Sequence, residues 1–323
     1  MGLLLGLIVN AFLLSIPIGS TLGTLFKLRP FRNDIIQQPK DHNHIIVTSA
    51  CEEFHEFAQN KIGVNYTVNS NEILPETDST LCMTMTTFEN NTYPSNSTAP
   101  QFSFTWEYPF TTANVSSPAN ETKPLIHAFP QARIDSSVIP LALEELGQLN
   151  LDFTWTMGTG NTIAPNTGLL PLGAKEVNAS VGLDMYMDPD QTMAGDAGNA
   201  TFEMIIFFAH FGLQDPVGFG NGTVVMTDTL DGTDFNLFVG RNANSQNIFS
   251  WVATQPVGEF HSDITPLFNS ILSLRGAKGL LVDIPTYTDF LGYVGFGTQS
   301  YSSIGNVTFW VPRLSVDIQK LGT

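Results

Sequence analysis

The sequence predicts an all-β protein, one large antiparallel sandwich carrying a single helix. Three observations support this expectation. The 323-residue chain is 42 % hydrophobic with 24 Phe, and only 13 % of its residues are charged, so it has a core to bury. Its polar remainder is Thr, Ser, Asn and Gly, the residues of strands and turns. Short runs rich in Thr, Val, aromatics and Met alternate with Asn, Gly, Pro and Ser clusters from Cys51 onward. The length is about twice that of a usual domain, but sandwiches of roughly 200–250 residues fold as one.

Taken in order, the expected strands begin with Asn65–Val68, Leu81–Thr87, Phe102–Tyr108 and Leu151–Thr156. Ser180–Met187 and Thr201–Phe208 follow. Val224–Thr227 and Asn236–Val239 are joined across Leu230–Gly232, whose Asp-Gly pair is a strong hairpin signal. Phe249–Val252, Tyr293–Thr298 and Asn306–Trp310 complete the series. Asp263–Gly276 departs from it, with Ile264, Leu267, Phe268, Ile271 and Leu272 at helical spacing. Asp263 can cap its start, Pro266 suits its first turn and Gly276 follows its end. Leu141–Leu149 fits a helix, a strand or a loop. Thr86–Gln101 and Gly158–Lys175 read as surface insertions.

Gly2 to Phe26 is almost wholly apolar, the length of a signal peptide or a signal anchor. We therefore expect that segment over residues 1–26, a linker over 27–50 and the folded domain over 51–320. Lys27, Arg29 and Arg32 follow the apolar run, which by the positive-inside rule would leave the body in the cytosol. Nine Asn-x-Ser/Thr sites argue the opposite: Asn65, Asn90, Asn96, Asn114, Asn120, Asn178, Asn199, Asn221 and Asn306. They outweigh the flanking charges and predict an exported glycoprotein with its sequons on surface loops, secreted or anchored with the body outside. In an exported chain the two cysteines, Cys51 and Cys82, read as one disulfide, the alternative being two buried thiols. Closing that loop would stabilise the fold by roughly 3–4 kcal/mol. No metal site is expected, since His42 and His44 stand in a polar stretch without partners at ligand spacing. The net charge of −17 excludes nucleic acid as a partner.

Most carboxylates are solvated on composition alone. Glu203 is the unusual one, inside the apolar run Thr201-Phe-Glu-Met-Ile-Ile-Phe-Phe208. Buried and unpaired it would cost several kcal/mol, so its face should open on a cleft. Strand alternation puts Phe202, Met204 and Ile206 on one face and Glu203, Ile205 and Phe207 on the other. Asp184, in Gly182-Leu-Asp-Met-Tyr186, is a second carboxylate within a strand. A bent or edge strand with a wet face is the competing reading for both.

Thr201–Pro256, running FEMIIFF, QDPVGFG, DGTDFNLFVG and IFSWVATQP, resembles fungal glycoside hydrolase family 12. Tyr66-Thr-Val-Asn-Ser-Asn71, Phe296-Gly-Thr298 and Asp263–Gly276 match further family segments, and the likeness runs from about Cys51 to about Ile318. The resemblance implies a concanavalin-like β-jelly roll, retaining endo-β-1,4-glucanase or xyloglucanase activity on wall polysaccharide, no cofactor and a monomer. It also implies that Cys51 and Cys82 form the family's N-terminal disulfide. Carried over by position, Glu203 matches the nucleophile and Asp184 the residue bonded to it. Pro216, Val217 and Gly218 match a loop lining the cleft.

Three departures stand out. The family's acid/base Glu is replaced by Gln299, a cleft Trp by Phe207, and a sugar-stacking Trp by Ile73, the nearest match at that place. Gln299 has no proton to transfer and cannot serve as a base, and losing one acid/base group costs on the order of 10²–10⁴ in rate. An aliphatic side chain at 73 offers no flat face to a pyranose. The expectations are therefore an active glucanase whose acid comes from elsewhere (Asp289 is near in sequence), a weak or inactive form that binds glucan or a protein, or a lectin-like wall protein on the same fold.

Overall fold

The computed structural model describes residues 45–322, apart from 52–55, 60–62, 75–78, 89–92, 110–125, 214, 220–221 and 281. The expected signal or anchor segment at 1–26 lies outside the described residues, as do the sequons at Asn90, Asn114, Asn120 and Asn221. The strands are β1 (Ile45–Ala50), β2 (Glu56–Ala58), β3 (Asn65–Asn69), β4 (Thr80–Phe88), β5 (Gln101–Glu107), β6 (Gln131–Asp135), β7 (Leu141–Ala142), β8 (Leu146–Thr159), β9 (Asn178–Asp188), β10 (Phe202–Phe211), β11 (Met226–Leu230), β12 (Thr233–Arg241), β13 (Asn247–Ala253), β14 (Glu259–Asp263), β15 (Phe290–Ser302) and β16 (Val307–Lys320). Two α-helices accompany them, α1 (Leu169–Ala174) and α2 (Thr265–Ser273).

The strands form two sheets. The six-stranded one runs β1-β4-β5-β16-β8-β14, and the ten-stranded one runs β11-β12-β13-β10-β9-β15-β6-β3-β2, with β7 pairing β15. Alternation along each strand sends one set of side chains between the sheets. Phe153 of β8 and Phe260 of β14 meet Phe208 of β10 and Phe296 of β15, with ring centroids 4.6 Å apart for Phe153–Phe208 and 4.8 Å for Phe153–Phe296. These rings belong to one continuous core.

The architecture is the expected all-β sandwich, with three differences. β10 and β13 run parallel, not antiparallel, because the β11–β12 hairpin intervenes and returns the chain in the original direction. There are two helices where one was expected: α1 lies within 158–175, where Gly, Asn and Thr had suggested an irregular insertion. The expected linker over 27–50 ends early, since residues 45–50 form β1, paired with β4 from Ile45↔Phe88 to Ala50↔Met83. Leu141–Leu149, ambiguous in sequence, is β7, a 3-10 turn and the start of β8.

Local chemistry accounts for the joints. Asp231 and Gly232 both have positive φ, 47° and 73°, and Leu230 faces Thr233 across them, the two-residue turn that matches strand twist. Asp263 accepts from the Thr265 N–H at the start of α2 and also from Leu149 N–H. Cys51 and Cys82 are disulfide-bonded. Asn96 and Asn199 are exposed, as sequons should be. Asn178 is not: it is buried, its amide nitrogen donates to Ser302 Oγ and Glu176 O, and its oxygen accepts from Leu213 N–H.

Candidate active site

The site is built on the face of the ten-stranded sheet that points away from the core. On β10, Phe202, Met204, Ile206 and Phe208 join the main core, whereas Ile205 and Phe207 form a separate small cluster with Phe238 and Val252. Glu203 shares the latter face, as alternation requires. Its register is Glu203↔Tyr186 and Ile205↔Asp184 across β9, so Asp184 and Tyr186 stand diagonal and opposite to it.

That register is clamped just outside the site. Asp188, at the end of β9, accepts from both the N–H and the Oγ1 of Thr201, at 2.8 and 2.7 Å. Gln246 Nε2 donates to the carbonyls of Ala197 and Ala200. The connection between the two carboxylate-bearing strands is thereby fixed two residues before Glu203.

Glu203 is 8 % exposed and Asp184 2 %. Tyr186 Oη donates to Glu203 Oε1 at 3.4 Å. The two carboxyls are hydrogen-bonded to each other, and the Tyr186 hydroxyl also reaches Asp184. Burial pushes Asp184 up to about 7, against which its bonds from Tyr186 and Glu203 act. Glu203 is raised well above the ordinary carboxylate range, first by burial and then by the charge of Asp184. Two carboxyls this close hold a proton between them, because both cannot ionise cheaply. Burial also pushes the Tyr186 phenol up, and the Asp184 and Glu203 charges add to it, so it remains a donor.

This pair has a consequence for stability. The folded chain keeps protons that the unfolded chain, with carboxyls near 3.8 and 4.5, releases. The pair's contribution is therefore most favourable below that range and falls as pH rises to about 7. The urea midpoint of wild type should drop between about pH 4.5 and pH 7 more steeply than that of Glu203→Gln. Equal slopes for the two proteins would contradict the shared proton.

Gln299 lies on β15, paired with Ser180 of β9. It is 8 % exposed, and its Oε1 accepts from Ser180 Oγ at 2.9 Å and Tyr301 Oη at 2.6 Å. Two hydroxyl donors on one oxygen fix which end of the amide is which: the carbonyl is committed to them, and Nε2 is the donor end. Tyr301 also links the two halves of the site, since its phenol, raised by burial, feels the Glu203 charge.

The remaining expected residues separate. Phe207 is 3 % exposed and floors the same face as Glu203. Pro216, Val217 and Gly218 form a tight turn, with Phe219 N–H donating to Pro216 O. Gly218 has φ +85° and a Cβ there would lie 2.5 Å from Val239 O, so only glycine lets the turn rest on β12. Ile73 is half exposed on the turn after β3, with its N–H donating to His127 O. Bridges Glu72↔Ala128 and Ala128↔Ser300 tie that turn to the strand of Gln299. Asp289 is not placed to act as a substitute acid. Its two oxygens accept from Thr286 N–H and Thr286 Oγ1 in the turn before β15, at the far end of the strand from Gln299.

Sequence reasoning missed Tyr186, Ser180, Tyr301 and Gln131. Tyr186 was within reach, being two residues from Asp184 and so on its face. Gln131 had no local signal: it is buried on β6, and its Oε1 occupies the space a Cβ on Gly295 would need, 1.8 Å away. Gly295 is paired with Asp184, so the missing side chain lets Gln131 lie across β15 beside the carboxyl pair.

Comparison with known proteins agrees with the motifs. Residues 172–319 match the model of Glycosyl hydrolase family 12. Xyloglucan-specific endo-beta-1,4-glucanase A of Emericella nidulans is 25 % identical over 166 residues, 51 % of this chain and 63 % of that protein. Endoglucanase A of Aspergillus kawachii is 24 % identical over 145 residues, 44 % of this chain and 55 % of that protein. The match thus spans less than two thirds of these curated relatives. Among solved structures, Trichoderma harzianum endoglucanase 3 from family GH12 superposes with a TM-score of 0.60 at 19 % identity, covering 84 % of this chain and 98 % of that one. The family 12 xyloglucanase from Bacillus licheniformis gives 0.57 at 15 %, covering 84 % and 100 %. The fold is therefore the jelly roll of these proteins.

Proposed function

We propose that this chain, whose residues 172–319 match Glycosyl hydrolase family 12, is a retaining glycosidase of β-1,4-glucan or xyloglucan type that keeps the nucleophilic half of its site and has lost the acid/base half. The observation that carries this reading is Glu203, buried on the cleft face and bonded to a carboxyl and a phenol. Burying a second carboxyl beside the first costs stability, and the packing of β10 does not require it. Glu203 would attack the anomeric carbon, and Asp184 and Tyr186 would orient it. Gln299 would then lie against the leaving oxygen as a hydrogen-bond donor with no proton to give. Ordinary glucan would bind and be cleaved slowly.

A 2-deoxy-2-fluoro-cellobioside with a dinitrophenolate leaving group tests the nucleophile. It should add one cellobiosyl mass to wild type, on the peptide carrying Glu203, and none to Glu203→Gln. An unlabelled wild type, or a label on another residue, would overturn the assignment. A binding-only reading is favoured by one observation, the saturation of Gln299 Oε1 by Ser180 and Tyr301; the same labelling separates it, since a pure binder takes no label.

We also propose that the body faces the cell exterior, secreted or anchored through residues 1–26, on the strength of the nine sequons. Glycopeptide mapping of protein from a secretory host should find glycan at exposed Asn96 and Asn199 and none at Asn178. A glycan at Asn178 would contradict its packing against Ser302 and Leu213.

A further inference from the structure

The ten-stranded sheet ends in a cavity of about 460 Å³ whose lining includes Leu169, Leu172, Phe211, Leu213, Ile304 and His210. Three of these aliphatics are largely in water: Leu213 is 72 % exposed, Leu169 59 % and Ile304 52 %. Apolar side chains gathered at the mouth of one cavity mark a binding surface more than a scatter of them would. The cavity's place relative to the site follows from register. His210 pairs with Ser180, and Ser180 donates to Gln299. Asn178 and Ser302, also in its lining, pair one step further along β9 and β15. Glu203 lies the other way, opposite Tyr186. The cavity therefore opens beside residue 299 and away from the nucleophile.

In a retaining displacement the leaving oxygen sits at the acid/base position. Here that position offers only an amide. Leaving groups that need a proton are disfavoured, and those stable as anions are not. A sugar subsite would present aromatic faces and polar donors, whereas this lining is mainly aliphatic. Resting on the glycosidase reading above, we propose that the cavity receives an apolar phenolic leaving group, so that the substrate cleaved is an aryl β-glycoside of a β-1,4-linked glucosyl chain. The Glu203 carboxylate forms a bond to the anomeric carbon as the carbon–oxygen bond to the phenol breaks. The phenolate departs with that electron pair and takes its proton from solvent. Water then displaces Glu203 and loses a proton to solvent, slowly, because no base faces it; phenol release should therefore show a burst followed by slow turnover.

The test compares 4-methylumbelliferyl and 4-nitrophenyl β-cellobiosides, whose phenols are of similar acidity but differ by a fused apolar ring. Wild type should favour the umbelliferyl substrate by about tenfold in kcat/KM for the burst, as burial of an extra ring in an apolar pocket would give. Leu213→Asp/Ile304→Asp alters two exposed positions remote from Glu203 and Gln299, so folding is retained. It should erase the preference while leaving the nitrophenyl burst unchanged. Free 4-methylumbelliferone should bind wild type saturably, by fluorescence, and the double variant not at all. Phenol release without discrimination, together with no saturable umbelliferone binding, would overturn the aglycone site and leave the glycosidase reading standing. No phenol release from either substrate would overturn both. A concentration-dependent dimer abolished by the double variant, with the substrate preference unmoved, would assign the cavity to contact between copies and overturn the proposal.

Discussion

Gln299→Glu should raise hydrolysis of xyloglucan or β-glucan by on the order of 10²-fold or more, the size of a restored acid/base group. The environment is already suited to a carboxyl. Ser180 Oγ and Tyr301 Oη both donate to the oxygen that the introduced group would keep. Before attack, burial and the Glu203 charge favour its protonated form, which is what protonation of the leaving oxygen needs. Once Glu203 is esterified that charge is gone, and the two hydroxyls then favour the ionised form that activates water. The gain should therefore depend on the leaving group. It should be large on glucan and no more than about threefold in the first step with a dinitrophenyl cellobioside, which departs unaided. A bell-shaped pH profile should accompany the gain. Equal gains on both substrates would show that the substitution acts on binding and not on proton transfer.

The second large effect concerns Glu203 itself. Glu203→Gln should abolish phenol release from even the most activated aryl cellobioside, in wild type and Gln299→Glu backgrounds alike, because no other carboxylate shares its place on β10. Asp184 cannot substitute for it: it is one register step away on β9, and both structural bonds and burial hold it there. Retained burst activity in Glu203→Gln would move the nucleophile elsewhere.

What could be read from the sequence, and what could not, follows from the range of the interactions involved. Alternation is local, so Glu203 and Phe207 were correctly separated from Met204 and Ile206 before any fold was known. The Asp231-Gly232 hairpin and the apolar spacing of α2 are equally local. Strand length was not. β16 continues to Lys320 through Pro312, which had suggested an end at Trp310; the ladder shifts register between Trp310 and Arg313 and so tolerates the missing N–H. β14 carried no apolar pattern of its own and exists because β8 offers it an edge. In the site, Ser180 and Tyr301 converge on Gln299 from different strands or through a bulge, and Gln131 reaches Asp184's neighbourhood only because Gly295 is bare. Such meetings depend on strand order, which one sequence does not display.

The measurement that tests the central claim most directly is azide rescue of the wild-type protein. A dinitrophenyl cellobioside should form the glycosyl-enzyme on Glu203, and its slow hydrolysis should limit turnover. Azide needs no base, and neutral Gln299 does not repel it. Adding azide should therefore accelerate steady-state turnover and give cellobiosyl azide of β configuration, the outcome of two inversions, with Glu203→Gln silent. If wild type instead cleaves glucan at ordinary rates and azide changes nothing, another group supplies the acid and base, and the account of a half-dismantled retaining site is wrong.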